Sequence, residues 1–152
     1  MMILQFGHRK NGKLKPVEVK RGNFFKFFGM TLNFKTLGEC HVLQEEKVED
    51  LISFWPEDIK KSNKELTPCT SSLFEKGEGG LLSSKRREVF HTTAAKGLFI
   101  ANQSWPDILP TISLLTSRVK EPNELDWKKA RRMIQYLANT KELHLVLRYD
   151  GT

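Results

Sequence analysis

The feature that most restricts the fold is the spacing of apolar residues after Pro122. Trp127, Ala130, Met133, Ile134 and Leu137 recur at helical intervals, and Lys128, Lys129, Arg131 and Arg132 fill positions between them. Residues three and four apart share one face of a helix, whereas a strand puts every second residue on one face. The spacing therefore predicts an amphipathic helix with an apolar stripe that needs a partner and a basic face opposite it. Asn123 stands three residues before Asp126, the pattern of a capping box with Asp in place of Glu. Pro122 breaks whatever precedes it.

The same logic predicts further helices upstream. Ile108, Ile112, Leu115 and Val119 form a second stripe, and Ser104 with Pro106 has the form of an N-cap before an early-helix proline. Lys85 opens a longer helix with Phe90, Ala94, Gly97, Leu98 and Ala101 on one face. The small residues among them allow close helix packing. Val48, Leu51, Ile52 and Trp55 fall at i, i+3, i+4 and i+7, and Pro56 stops that helix.

The first third reads differently. Residues 1–22 are basic and Gly/Lys-rich, which predicts a loose arm feeding a strand over residues 17–20. The following run, from Phe24 to Phe34, is aromatic, and Phe28, Met30, Leu32 and Phe34 alternate onto one face. Gly38 marks a turn, and Cys40, His41, Val42 and Leu43 supply the returning strand of a β-hairpin. Residues 60–84 are rich in Lys, Ser, Thr and Gly and predict a flexible loop. Residues 143–149 alternate and predict a last strand.

The net charge is +7, which favours polyanionic partners, nucleic acid first among them. Glu45, Glu46, Glu49 and Asp50 read as a solvated helix face. Cys40 and Cys69 lie far apart without CxxC spacing and the four histidines are scattered, so no metal site is expected and the cysteines are expected as thiols. No apolar run is long enough to span a membrane, and the N-terminus lacks a signal-peptide core, so an intracellular protein is expected.

Several motifs stand in a telling order. Phe28-Gly29-Met30-Thr31-Leu32 is followed by the helix around Phe90 to Ile100, then Trp105-Pro106-Asp107-Ile108, Thr116-Ser117-Arg118 with Pro122 beyond, and Trp127, Arg132, Tyr136-Leu137 and Thr140. This order resembles the segment after the polymerase catalytic centre in copia-type LTR retrotransposon Pol polyproteins. The resemblance covers residues from about 17 to 150. It implies that Phe28, Gly29 and Met30 belong to a primer-grip strand, which holds the primer's 3′ end. It implies that residues 85–139 form the thumb and connection between palm and RNase H. Basic residues there would touch phosphates: Lys85, Arg86, Arg87, Arg118, Lys120, Lys128, Lys129, Arg131 and Arg132. The same cations also suit a solubilising surface.

The chain departs from that family's pattern. It contains no Asp-Asp pair, and a reverse transcriptase holds its metal ions with one. No motif of the fingers, catalytic palm or RNase H is read among these residues, so a partial polymerase is expected, and Trp105 replaces the Arg usual before Pro-Asp. The expectation is an α+β fold: a small antiparallel hairpin unit followed by a mostly helical, thumb-like bundle. Its expected divisions are a basic arm over 1–22, a hairpin plus helix over 23–59, a loop over 60–84 and the bundle over 85–152. The expected role is that of a truncated reverse transcriptase fragment without catalytic residues or cofactor. It would touch nucleic acid, RNA or DNA, without sequence preference and without membrane contact. A basic nucleic-acid- or protein-binding module, and a transposon relic without function, remain the alternatives.

Overall fold

The computed structural model describes residues 2–6, 9–10, 13–14, 18–59, 65–77 and 79–151, with side chains from Val19 onward. The fold is α+β. Its elements divide into two units, one holding all the strands and the other spanning Gln44–His144.

The strand unit opens with two small ladders where a loose arm was expected. β1 (Met2–Phe6) pairs antiparallel with β4 (Glu18–Gly22), and β2 (Arg9–Lys10) pairs with β3 (Lys13–Leu14). Val17, expected at the start of a strand, lies outside the described residues. A four-stranded antiparallel sheet follows in the order β5 (Phe24–Phe27), β6 (Met30–Asn33), β7 (Glu39–Leu43), β8 (Leu145–Arg148).

Alternation gives this sheet one apolar and one polar face. Phe25, Leu32, Val42 and Leu145 pair in one row across all four strands, with Phe25 and Val42 buried. The neighbouring row is Phe24, Asn33, His41 and Val146, on the opposite face. The aromatic run from Phe24 to Phe34 is two strands, not one. Phe27 pairs with Met30, so Phe28 and Gly29 form a two-residue turn. Both have positive φ, 50° and 76°, the requirement of a type I′ turn. Glycine accepts that backbone freely, whereas phenylalanine is strained there by its Cβ.

The helical unit contains α1 (Glu45–Phe54), α2 (Ser84–Gln103), a 3-10 turn (Pro106–Ile108), α3 (Leu109–Ser117) and α4 (Glu124–Thr140). Its core joins Val48 and Leu51 of α1, Phe90, Ala94 and Ile100 of α2, Ile112 and Leu115 of α3, and the full α4 stripe. Each fully buried aliphatic side chain contributes roughly 1.5–3 kcal/mol of transfer free energy. Leu98 was expected on the buried face of α2 but is exposed, and Ile100 takes the inward position. Gly97 meets α3: a Cβ built there would lie 2.3 Å from Ile112 Cδ1. The helices approach closely because that position carries no side chain.

α4 begins as its sequence predicts. Asn123 Oδ1 accepts from the Asp126 N–H at 2.9 Å, and Asp126 Oδ2 accepts from the Asn123 N–H at 3.1 Å. Ser104 does not cap the next helix; Trp105 holds the N-cap position of the 3-10 turn. Ser104 Oγ instead donates to Gln44 Oε1 at 2.6 Å, and Gln44 Nε2 donates to Gln103 Oε1 at 2.9 Å. That arrangement lets buried Gln44 keep its hydrogen bonds.

The expected loop over 60–84 is anchored in its described part. Residues 60–64 and 78 lie outside the description. Leu73 and Leu82 are buried. The Leu82 N–H donates to the Pro122 carbonyl and the Glu124 N–H to the Gly80 carbonyl, both at 3.0 Å. The boundaries also differ from those expected. α1 packs with α2 and α4 in the helical unit, and β8 belongs to the sheet of the strand unit.

Candidate nucleic-acid interface

The candidate residues fall into two groups, one in each unit. Phe28, Gly29 and Met30 form the β5–β6 turn. The Phe28 ring is 70% exposed and packs edge-on against Phe27, with centroids 4.6 Å apart. Asn33 Oδ1 accepts from the Lys35 N–H at 2.9 Å, and the Phe34 N–H donates to the Asn23 carbonyl at 2.8 Å. The hairpin is thus closed at its base as well as at its tip. It presents an exposed aromatic ring beside a glycine.

The basic face of α4 is not the open surface that its sequence suggests. Arg131 Nε pairs with Glu57 Oε2 at 2.9 Å. Arg132 pairs with Glu65 Oε2 at 2.7 Å and donates to Thr67 Oγ1 at 3.2 Å. Lys129 Nζ donates to the Glu75 carbonyl at 3.1 Å. Only Lys128 of these four is held by none of those contacts, and it is exposed. The segment between α1 and α2 lies over this face and supplies the acceptors. Periodicity shows which way a helix faces but not which loop folds back on it.

The other candidate cations divide in the same way. Arg86 lies 4.3 Å over the Trp127 ring and pairs with Glu124, which holds it against the bundle while it stays half-buried. Arg118 lies 3.5 Å from the buried Asp126 carboxylate. Lys85 and Arg87 in the first turns of α2, and Lys120 after α3, are exposed. Ser83 caps α2 by accepting from the Arg86 N–H at 3.4 Å. Mobile exposed cations can neutralise phosphates, whereas those already paired must first break an ion pair.

The acidic face of α1 is also partly occupied. Asp50 pairs with Lys96 at 2.7 Å and Glu49 with Lys141 at 3.0 Å. Lys96 holds the Asp50 carboxyl below the usual carboxylate range, chiefly through their hydrogen bond. On the sheet, Glu39 stands between Arg148 at 2.8 Å and His41 at 2.9 Å. Those hydrogen bonds, Arg148 first, lower the Glu39 pKa. Burial raises that of the Cys40 thiol. Sequence reading missed the Glu39 cluster because the pairing of Glu39 with Arg148 depends on β8 returning to the sheet.

Trp105, where the resembled family has arginine, is buried and packs edge-on against Tyr136 at 6.2 Å. The Tyr136 hydroxyl donates to the Asp107 carboxylate. The aromatic thus joins the 3-10 turn to α4 by packing instead of by charge. Among the described residues, no group of three or more His, Cys, Asp or Glu side chains is placed to hold a metal ion. None of the described helices is long and apolar enough to cross a membrane.

The chain is similar to a protein of Saccharomyces cerevisiae described as a transposon Ty5-1 protein, with 27% identity over 129 residues. The match covers 84% of this chain and 40% of that protein's length. No family model matches the chain, and no solved structure matches it. The similarity is distant and points to a transposon-related origin.

Proposed function

We propose that this chain carries the primer-grip and thumb part of a retrotransposon reverse transcriptase. In this reading it holds template–primer without sequence preference and does not polymerise by itself. The observation that supports the reading is the hairpin tip. A strained, exposed Phe28 beside Gly29 is a poor choice for folding alone and a good one for gripping a nucleic-acid backbone. The distant similarity to a transposon protein and the net charge of +7 agree with it. Two-metal phosphoryl transfer needs paired carboxylates, and the sequence has no Asp-Asp pair to supply them. Contact with phosphates then falls to Lys85, Arg87, Lys120 and Lys128, with the paired arginines secondary.

The test uses Phe28→Asn. Asn-Gly is a preferred type I′ turn, so this variant keeps or steadies the hairpin while deleting the ring. The wild type should bind an RNA–DNA hybrid with a recessed 3′ end in a fluorescence-anisotropy titration. The expected Kd is on the order of 10⁻⁴–10⁻⁶ M and should weaken steeply with salt. Phe28→Asn should bind more weakly at unchanged melting temperature. Equal binding by the two proteins removes the hairpin from the interface. Absence of binding by the wild type favours a transposon relic without this function.

A further inference from the structure

The polar face of the four-stranded sheet carries an aromatic that the hairpin-tip reading leaves unused. Phe24 lies on β5, the edge strand, and its ring is 55% exposed. Its neighbours on that face are polar. Asn33 pairs directly opposite it, Lys26 and Thr31 form the next row, and His41 continues the Phe24 row. Lys35 Nζ stands 5.3 Å from the Phe24 ring centroid. This lysine is positioned by the fold, because Asn33 Oδ1 holds the Lys35 N–H at 2.9 Å. The one carboxylate among the paired residues of this face, Glu39, already has Arg148 and His41 as partners. Lys35 therefore places a cation against an exposed ring.

We propose that this face is a stacking platform for an unpaired base of a single-stranded nucleic acid. The base would lie on Phe24, and Lys35 would meet a flanking phosphate. The proposal deepens the nucleic-acid reading above and rests on it. An apolar partner surface would meet the Lys35 ammonium beside the ring, whereas a polyanion with flat bases satisfies both features at once. The contact of Lys35 with Phe24 is an exposed cation–π pair and weak, so the ammonium can turn to a phosphate when a base takes the ring. Nothing in the arrangement aims a fixed fork at base edges, so the platform should tolerate any base.

The experiment titrates single-stranded DNA and RNA 12-mers, each with a central 2-aminopurine, at low salt. The wild type, Phe24→Ala and Phe24→Tyr are compared, and a fully paired RNA–DNA hybrid serves as the second ligand. The wild type should bind a single strand and quench the 2-aminopurine. Phe24→Ala should weaken that binding roughly tenfold or more and abolish the quenching, while Phe24→Tyr keeps both. Hybrid binding should not respond to Phe24→Ala. Such a loss on either single strand supports the platform, and the strand that shows it identifies the ligand. Equal single-strand binding by wild type and Phe24→Ala overturns the proposal. So does wild-type binding without quenching, or an equal loss on the hybrid. Phe28→Asn separates this result from the hairpin-tip reading, because it should affect the hybrid and leave single-strand quenching intact.

Discussion

The indole of Trp127 stacks on that of Trp55 with ring centroids 4.2 Å apart and planes 31° from parallel. The two rings are equally buried but not equally satisfied. Trp127 Nε1 donates to Glu57 Oε1 at 2.6 Å, whereas Trp55 Nε1 has no acceptor among the described residues. Glu57 uses its other oxygen for Arg131, and Arg86 covers Trp127. One indole thus organises an aromatic partner, a carboxylate and two arginines.

Exchanging each indole for phenylalanine should separate packing from hydrogen bonding. Both changes remove similar volume, but only Trp127→Phe strips a partner from a carboxylate. Trp127→Phe should cost more than Trp55→Phe, by roughly 1–3 kcal/mol. Trp127→Ala should cost about 3–5 kcal/mol. Urea unfolding followed by circular dichroism reads all three. Equal losses for the two phenylalanine variants would mean that the Glu57 bond contributes nothing.

Gly97 and Ile112 should behave as a coupled pair. Gly97→Val pushes a branched side chain into Ile112 Cδ1 and should destabilise by about 1–3 kcal/mol. Ile112→Ala opens space and should also destabilise when made alone, by roughly 2–5 kcal/mol. The double variant should be more stable than the sum of the two losses implies, by about 0.5–3 kcal/mol. Strict additivity in denaturant melts would show that α2 and α3 do not meet at this point.

The cap of α4 offers a smaller and cleaner effect. Asn123→Ala removes the acceptor for the Asp126 N–H and should cost about 0.5–2 kcal/mol. Asn123→Asp keeps an acceptor and should lose much less. A thermal melt of the three proteins decides it, and identical midpoints for Asn123→Ala and the wild type would contradict the capping box.

Tyr136 predicts a response to alkali. Burial first, then the hydrogen bond to Asp107, pushes its pKa up from 10 to about 12. The folded state therefore favours the protonated phenol. That contribution is fully present below pH 10 and is lost as pH rises from there through about 12. Two units correspond to roughly 3 kcal/mol. The chain has two tyrosines, so Tyr149→Phe leaves Tyr136 as the sole phenol. Its absorbance titration near 295 nm should have a midpoint well above 10 and coincide with alkaline unfolding. A midpoint at the ordinary value would refute the buried, hydrogen-bonded phenol.

The helical elements were legible because their signals are local. The α4 stripe, its capping box and the Pro56 stop follow from spacing within a few residues of one another. The type I′ turn at Phe28-Gly29 escaped notice because phenylalanine is an unfavourable occupant of a left-handed position, so propensity argued for one continuous strand. The basic face of α4 misled for another reason. Its acceptors come from Glu57, just after the Pro56 stop, and from Glu65 and the Glu75 carbonyl in a segment whose composition predicts only a loop. The Phe24 platform likewise depends on strand register, which periodicity alone does not supply.

β8 enters the sheet beside β7, although the whole helical unit separates them along the chain. Closing a disordered loop of that length costs about 4 kcal/mol of chain entropy. A helical bundle forms largely from nearby contacts, and once formed it holds its two ends at a fixed separation. The bundle can therefore act as the brace that brings the last strand home. The sheet's fourth strand should be the slowest element to dock and the first to leave.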